Sequence, residues 1–287
     1  MKKRPQHTIP FYKMSGSGND FILIDNRRKV LKGQDPGRLA KAVCQHRLSV
    51  GGDGLILLEP PKVKSSHFRW RLFNADGSEA EISGNGGRCA ARLAYLLGIA
   101  PKRMVFETKA GLVRAEILEK RKGQSANVKI EMPHPKGLRL SVKIPVDGQT
   151  YVGHFLNTGV PHVVYLIEPL DTVDVIGLGR KIRYHELFAP AGTNVNFVAI
   201  QNPKTALMRT YERGVEDETL ACGTGAVATA LVAGALGRGT SPMTLRQRSG
   251  MSLRVYYRWD GRQFSDVFLE GDARMIYAGE LWDEAWK

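Results

Sequence analysis

Two segments of this 287-residue chain have similar sequences and lie about half the chain length apart. This similarity constrains the fold more than any other feature. Residues 79–86 read Glu-Ala-Glu-Ile-Ser-Gly-Asn-Gly, and residues 218–225 read Glu-Thr-Leu-Ala-Cys-Gly-Thr-Gly. Each is followed by a run typical of a helix, which ends before Gly98 in the first half and before Gly237 in the second. This repeat predicts two similar domains, each built around one glycine-opened helix.

The rest of the chain is rich in apolar or alternating segments of strand length, at residues 21–24, 113–117, 128–132, 163–167, 195–198, 253–257 and 267–269. We therefore predict an α+β fold of two pseudo-symmetric domains, each a strand-rich layer wrapped around a central helix. The polar stretch 120–127 predicts the division between an N-terminal half-repeat, 1–127, and a C-terminal half-repeat, 128–275. We place the last segment, 276–287, with the N-terminal half.

Composition excludes several classes of function. The chain has 42 Lys and Arg against 28 Asp and Glu, a net charge of +14, which can mark nucleic-acid binding. Its basic clusters are short and are not interleaved with aromatic residues, so we expect a solvated basic surface and no nucleic-acid partner. No apolar run approaches the roughly 20 residues of a membrane span, so we expect no membrane partner. Three scattered cysteines suit a reducing compartment, which predicts a cytoplasmic protein.

The usual cofactor and metal motifs are absent from the sequence. The segment Gly-Ser-Gly-Asn-Asp-Phe at 16–21 lacks the third glycine of a dinucleotide-binding turn and precedes a strand. No phosphate-binding loop is present, no Cys-x-x-Cys pair occurs, and His185 has no second His at helical spacing. We therefore expect neither a metal ion nor a cofactor.

Cys222 is the strongest candidate for a reactive side chain, because it directly precedes the second helix. A helix N-terminus carries about half a positive charge and free N–H groups, which favour a thiolate and can also bind a carboxylate. This position predicts a thiol of lowered pKa in a solvent-reachable cleft. Ser83 occupies the equivalent position in the first half. Cys44 and Cys89 are interpreted as packing residues, since Cys89 lies about 9 Å along its helix from that position.

Several longer motifs, in order along the chain, resemble those of the diaminopimelate epimerase family. They lie at residues 16–21, 74–79 (Asn-Ala-Asp-Gly-Ser-Glu), 84–88 (Gly-Asn-Gly-Gly-Arg), 211–214 (Tyr-Glu-Arg-Gly) and 218–225. The resemblance implies a cofactor-independent amino-acid epimerase of two pseudo-symmetric domains, a homodimer whose substrate is a small-molecule amino acid. In that family one catalytic cysteine from each domain faces the substrate α-carbon; one thiolate removes the α-proton and the opposite thiol delivers another.

The resemblance also implies roles for individual residues. Cys222 matches one catalytic cysteine, and Ser83 falls at the position of the other. Glu212 and Arg213 match a pair that contacts the charged ends of the substrate, and His162 and Glu212 match groups that tune a catalytic thiol. The other implied substrate-binding residues are polar side chains or the first residues of the two helices: Asn19, Asn74, Asn194, Gly84, Asn85, Gly223 and Thr224.

Three positions depart from the family pattern. Ser83 replaces a thiol, whose usual pKa is about 8.5, with a hydroxyl that is far weaker as an acid or base. Two-base epimerisation is therefore expected to be impaired, whether the serine is natural or engineered. Val160 stands where many members carry Asn, and Gly54 where some carry Gln, so we expect different contacts with the far end of the substrate.

Three functions remain as alternatives. The first is interconversion of LL- and meso-diaminopimelate, in lysine and cell-wall biosynthesis. The second is a related isomerase or dehydratase of the proline-racemase superfamily acting on another amino acid, in which a hydroxyl in place of one thiol accompanies elimination. The third is a non-catalytic amino-acid binder or a basic nucleic-acid partner.

Overall fold

The computed structural model describes residues 8–118 and 126–286. The chain divides into two compact units: unit 1 contains residues 1–130 and 271–287, and unit 2 contains residues 131–270. The predicted division, after residue 127 and before residue 276, lies a few residues from these limits. Both limits fall inside strands, so no polar linker marks them in the sequence. Most of the predicted polar boundary at 120–127 lies outside the described residues.

The described residues form strands and helices in the following order along the chain. The strands are β1 (Thr8–Gly16), β2 (Asn19–Asp25), β3 (Gly54–Glu59), β4 (Phe68–Asn74), β5 (Glu79–Ala80), β6 (Arg103–Thr108), β7 (Gly111–Leu118), β8 (Asn127–Glu131), β9 (Lys136–Val146), β10 (Gln149–Asn157), β11 (Pro161–Leu166), β12 (Asn194–Asn202), β13 (Thr205–Glu212), β14 (Asp217–Thr219), β15 (Met243–Arg246), β16 (Ser252–Trp259), β17 (Phe264–Asp272) and β18 (Arg274–Trp282). The α-helices are α1 (Pro36–Val43), α2 (Gly84–Leu96), α3 (Val175–Arg183) and α4 (Gly223–Ala235). Short 3₁₀ turns occupy Leu170–Thr172, Glu186–Phe188 and Asp283–Ala285.

The strands of the two units pair in the same pattern. In unit 1 the order is β18-β1-β2-β3-β4-β6-β7-β8, with β5 also beside β4. In unit 2 it is β9-β10-β11-β12-β13-β15-β16-β17, with β14 also beside β13. In each order only the third and fifth pairs of neighbouring strands are parallel. These are β2–β3 and β4–β6 in unit 1, and β11–β12 and β13–β15 in unit 2. This shared topology confirms the predicted α+β fold of two pseudo-symmetric halves.

The C-terminal strand gives unit 1 its full set of strands. β18 pairs antiparallel with β1, from Thr8 opposite Trp282 to Ser15 opposite Arg274. It thereby takes the place in unit 1 that β9 holds beside β10 in unit 2. The first repeat is therefore complete only when the C-terminal strand β18 pairs with β1.

The two glycine-opened helices form as predicted. α2 and α4 each have 13 residues, and each packs against strands of its own unit. The residues from Ala226 to Ala233 are all buried, which explains why α4 is apolar on every side. Gly98 and Gly237 lie just beyond the helix ends with φ of 67° and 70°, the left-handed conformation that commonly terminates a helix.

Helices α1 and α3 were not predicted from the sequence. In each unit they cover the face of the strand layer opposite to α2 or α4. Leu39 and Val43 of α1 join a core with Ile22 and other residues of unit 1. Val175 and Ile182 of α3 join the corresponding core in unit 2. With eight and nine residues, both helices have too few apolar positions for periodicity to indicate them. The available signals were their caps, Asp35 before Pro36 and Asp174 before Val175.

Candidate active site

Ser83 caps the N-terminus of α2. Its backbone is extended, with φ −143° and ψ 126°, and its Oγ accepts a hydrogen bond from the main-chain N–H of Gly86 at 3.1 Å. Its carbonyl accepts the first helical bond, from the N–H of Gly87 at 2.8 Å. The side chain is half-buried. One lone pair of the hydroxyl therefore serves the helix, while its hydrogen remains available for donation.

Cys222 caps α4 with nearly the same backbone, φ −126° and ψ 109°, but its side chain makes no capping bond. Its Sγ lies 3.6 Å from Oγ1 of Thr224, and its main-chain N–H donates to Oε1 of Gln247 at 3.2 Å. Oγ1 of Thr158 in turn donates to the main-chain oxygen of Thr224 at 3.0 Å. The Cys222 thiol, unlike the Ser83 hydroxyl, therefore makes no side-chain capping bond to its helix, although it contacts the first turn of α4.

Burial decides the protonation of Cys222. The residue is only 4% exposed, and burial raises the pKa of its thiol to about 12. The charge of Glu212 raises the pKa further, while Thr224 and the main chain at the helix start oppose the increase. The expectation of a solvent-reachable thiol with a lowered pKa is therefore wrong for this structure, because loss of solvent outweighs the field of the helix N-terminus.

Cys44 and Cys89 are buried packing residues. Burial raises the pKa of each thiol to about 12 as well. Cys44 belongs to the apolar core beside α1, and Cys89 lies against Gly16, where an added Cβ would be 3.2 Å from its sulfur. Among the three thiols, the hydrogen-bond donors at a helix start distinguish Cys222.

Around the start of α2, unit 1 holds a chain of polar side chains. Nδ2 of Asn85 donates to Oδ1 of Asn19, and Nδ2 of Asn19 donates to Oδ2 of Asp53 at 2.9 Å. Oδ1 of Asn85 accepts from Nη2 of Arg88 at 2.8 Å, and the same nitrogen donates to Oγ of Ser17 at 2.8 Å. Asn19, Gly84 and Asn85, which the family resemblance implies for substrate binding, thus lie beside one another at the start of α2.

Arg88, which was not among the predicted site residues, lies behind these side chains. Arg88 is fully buried, and burial lowers its pKa to about 10. Its Nη1 donates to the main-chain oxygen of Gly84, and its Nε to that of Asp272, both at 3.2 Å. The carboxylate of Asp272 accepts from Ser17 Oγ at 2.8 Å. The available signal was the spacing of Asn85 and Arg88, which places the two on one face of the helix.

Asn74 stands apart from this group. It is exposed at the end of β4, where its Nδ2 donates to Oγ of Ser78 at 2.9 Å within the β4–β5 turn. It pairs across the sheet with Gly54, the first residue of β3. A Cβ at Gly54 would lie 2.7 Å from the main-chain oxygen of Phe73, so the backbone leaves no room there for the Gln that some family members carry.

The acidic residue that precedes both helices has a structural role. Glu79 forms an ion pair with Arg71 on β4, with Nε 2.7 Å from Oε1. Glu218 forms the matching pair with Arg209 on β13, also at 2.7 Å. Each pair joins the strand before the turn to the short strand that leads into the helix. The repeated Glu therefore positions the helix start.

In unit 2, Asn194 holds the segment that carries Glu212 and Arg213. Oδ1 of Asn194 accepts from the main-chain N–H of Arg213, and its Nδ2 donates to the oxygen of Pro161, both at 2.9 Å. Oε2 of Glu212 accepts from Oγ1 of Thr219 at 2.9 Å. Because the charge of Glu212 acts on the Cys222 thiol, this carboxylate lies in the surroundings of the thiol.

His162 is fully buried at the start of β11. Burial, with a smaller contribution from the charge of Arg213, lowers its pKa to about 3, so the ring is neutral at pH 7. Its Nδ1 lies 3.1 Å from Nδ2 of Asn196. Val160, two residues earlier, belongs to the turn between β10 and β11, where its oxygen accepts from the N–H of Thr158 at 3.1 Å.

Unit 2 therefore brings a thiol, a carboxylate, a guanidinium and an imidazole to the start of one helix and the strands beside it. In the part of the chain that the structure describes, no three His, Cys, Asp or Glu side chains are placed to hold a metal ion. Over the same residues, no helix is long and apolar enough to cross a bilayer. The described groups are suited to binding a zwitterion and transferring protons.

Comparison with known proteins agrees with this chemistry. The family model for diaminopimelate epimerase matches residues 11–136 and 154–275. The chain is 43% identical to the diaminopimelate epimerase of Aquifex aeolicus (strain VF5), covering 96% of this chain and 99% of that relative. It is 45% identical to that of Hydrogenobaculum sp. (strain Y04AAS1), covering 94% and 97%. The chain belongs to the diaminopimelate epimerase family. The prediction of an epimerase-type enzyme is confirmed at this level.

Solved structures outside this family share the fold at low sequence identity. A hydroxyproline epimerase from Agrobacterium vitis superimposes with a TM-score of 0.73 at 16% identity, covering 98% of this chain and 92% of that chain. A phenazine biosynthesis protein of the PhzF family from Bacillus anthracis gives 0.70 at 14% identity, covering 96% and 99%. The architecture of the diaminopimelate epimerase family is thus common to several kinds of protein.

Proposed function

We propose that this chain interconverts LL- and meso-diaminopimelate without a cofactor, by proton transfer at the α-carbon. Cys222 serves one face of that carbon, and Ser83 serves the other in place of a second cysteine. The observation that carries the proposal is the matched pair of helix starts, since Cys222 and Ser83 occupy the same capping position in units of identical topology. The relatives at 43% and 45% identity support the choice of substrate.

Proton transfer in this scheme begins with Cys222 losing its proton. With a pKa of about 12, the thiol is almost entirely protonated in the resting protein. Substrate binding therefore has to favour the thiolate, and a cationic ammonium group placed near the sulfur would do so. The thiolate then takes the α-proton, and negative charge develops on the substrate carboxylate. Main-chain N–H groups at the starts of α2 and α4 stabilise that charge.

Ser83 limits the rate of the reaction. Delivery of a proton to the opposite face by Ser83 leaves an alkoxide, which is far less stable than the thiolate of a cysteine. Its oxygen already accepts the N–H of Gly86, and this bond offers the alkoxide some stabilisation. We therefore expect a slow enzyme whose exchange of the α-proton on the Cys222 face exceeds its rate of complete epimerisation.

Substrate recognition is proposed to follow the family pattern. Arg213 and Glu212 bind the charged ends of the amino acid, with Asn194 holding the main chain of Arg213 in place. Asn19, Asn74, Gly84, Asn85, Gly223 and Thr224 supply the remaining polar contacts.

We further propose a cytoplasmic homodimer. Ile276, Tyr277 and Trp282 of β18 are exposed and offer apolar surface for a second copy.

Exchange in deuterated solvent tests the proposal. LL- and meso-diaminopimelate are each incubated with the protein in D₂O, and loss of the α-proton signal is followed by NMR together with the ratio of the two isomers. We expect measurable exchange, slower isomer interconversion, and loss of both in Cys222→Ala. Cys89→Ala, which alters a packing thiol, is the matched control. Exchange at the wild-type rate in Cys222→Ala would remove this thiol from the mechanism.

Ser83 also favours a second candidate function. A hydroxyl at this position suits a related isomerase or dehydratase that acts on a hydroxylated amino acid. Incubation with cis- and trans-hydroxyprolines under the same conditions separates the two candidates. Exchange or elimination with a hydroxyproline, and none with diaminopimelate, would favour the second.

A further inference from the structure

A buried amide in unit 2 contacts the ring of His162. Asn196 lies on β12 and is fully buried. Its Nδ2 donates to the main-chain oxygen of Val163 at 3.0 Å and lies 3.1 Å from Nδ1 of His162. Its Oδ1 accepts from Oγ1 of Thr210 at 3.0 Å. These three contacts use both hydrogens of the amide and one lone pair of its oxygen.

Only one orientation of the Asn196 amide satisfies these partners. The main-chain oxygen of Val163 can only accept, so the amide nitrogen has to face it. The amide oxygen then faces the hydroxyl of Thr210. The second hydrogen of Nδ2 points to Nδ1 of His162, which has to receive it with a lone pair. A proton on Nδ1 would face this N–H, a contact that a buried site does not tolerate.

We propose that Asn196 is a positioning residue that holds His162 as the neutral tautomer with its proton on Nε2. Burial of the ring acts in the same direction, because it keeps the imidazole uncharged. Nε2 has no hydrogen-bond partner among the described residues. This atom is therefore an N–H donor kept free for a group that arrives or becomes charged during the reaction, and it is not a base.

The Asn196 amide and the Cys222 thiol both lie close to Gly225. A Cβ at Gly225 would lie 2.3 Å from Oδ1 of Asn196 and 3.1 Å from Sγ of Cys222. The amide and the thiol thus both lie against the same glycine in the first turn of α4. The catalytic consequence rests on the proposed function: in this tautomer His162 can act only as an N–H donor at Nε2, and its Nδ1 does not take the thiol proton.

The tautomer can be measured directly. Protein labelled with ¹⁵N-histidine is examined by long-range ¹H–¹⁵N correlation NMR at neutral pH, and His162→Gln identifies the signals of this ring among the seven histidines. We expect a pyridine-type Nδ1 and a pyrrole-type Nε2. In Asn196→Asp the carboxylate can only accept, so the proton should move to Nδ1 or the ring should become doubly protonated.

Thr210→Val is the matched control. It removes a hydrogen bond from the same amide but leaves both Nδ2 hydrogens in place, so the Nε2–H tautomer should persist. A proton on Nδ1 in the wild-type protein, or an unchanged tautomer in folded Asn196→Asp, would overturn the proposal. If Asn196→Asp does not fold, the wild-type and Thr210→Val spectra still decide it.

Kinetics give a second readout. We expect Asn196→Asp to lower kcat on diaminopimelate by about tenfold or more, with a much smaller change in KM, because the tautomer affects proton transfer more than binding. An equal loss of kcat in Thr210→Val would indicate that Asn196 has only a structural role. Absence of any activity on diaminopimelate in the wild type would refute the proposed function, while the NMR result would still decide the tautomer.

Discussion

The guanidinium of Arg88 donates to Oδ1 of Asn85 at 2.8 Å, and this contact determines which way the Asn85 amide faces. With its oxygen held by Arg88, the amide directs Nδ2 to Asn19, whose own Nδ2 donates to Asp53. The fully buried guanidinium of Arg88 thus fixes the directions of the hydrogen bonds at the start of α2. A residue without any implied contact to substrate therefore sets the orientation of two residues proposed to bind it.

Replacing Arg88 should damage both stability and binding. Arg88→Met leaves Ser17, Asn85 and the oxygen of Asp272 without their donor, at a cost of about 1–3 kcal/mol for each buried group left unpaired. We expect a lower midpoint in urea unfolding and a raised KM for diaminopimelate. Arg92→Met, which removes a half-buried arginine one turn later, is the control and should cost less. Equal stability of the two variants would contradict this account.

Ser83→Cys should increase the rate of epimerisation. A missing acid–base group typically costs about 10²–10⁴-fold, so the substitution should raise kcat/KM by a factor in this range. The equilibrium between isomers cannot change, so the forward and reverse values should rise equally, as measured from LL- and meso-diaminopimelate separately.

The same substitution should lower stability. Ser83 supplies a capping bond that the thiol of Cys222 does not supply at the equivalent position, and a lost cap costs about 1 kcal/mol. Ser83→Ala is the control, because it also loses the cap but adds no thiol. It should match Ser83→Cys in stability and remain slow. A slow Ser83→Cys enzyme with an intact Cys222 would argue against the two-sided mechanism.

Alkylation should be slow at all three cysteines in the folded protein. With pKa values of about 12 for Cys44, Cys89 and Cys222, only about one thiol in 10⁵ is ionised at pH 7. Mass spectrometry after iodoacetamide treatment should find little modification without denaturant and full modification with it. Rapid labelling of Cys222 alone in the folded protein would instead support the low-pKa thiol expected from the helix N-terminus.

His162 should make stability depend on pH in the acid range. Its pKa is about 3 in the folded protein and about 6.5 in an unfolded chain, so the unfolded state binds more protons between these values. The free energy of unfolding should therefore fall as pH falls below about 6.5, by up to about 1.4 kcal/mol per pH unit.

Urea unfolding at pH 7, 6 and 5 tests this dependence. The His162→Gln variant should lose less stability than the wild type over this range. His46→Gln, which alters an exposed ring, should follow the wild type. Parallel curves for the wild type and His162→Gln would show that the buried ring does not titrate with a lowered pKa.

The features that could be predicted from the sequence are those set by neighbours along the chain. The starts of α2 and α4 follow from a capping residue before glycines, and their ends follow from Gly98 and Gly237 in the left-handed conformation. The predicted strands formed because their apolar spacing suits a buried layer. The repeat of one such pattern was enough to predict two units of the same kind.

Only the tertiary structure decided the state of the groups at those helix starts. The Cys222 thiol is neutral because it is buried in the folded chain, and this loss of solvent outweighs the local effect of the helix N-terminus. Arg88 orients Asn85 within α2, but its buried position depends on Ser17 and Asp272, which lie far away in the sequence. Local backbone preferences act over a few residues, whereas desolvation and the direction of a buried hydrogen bond depend on every segment packed around the group.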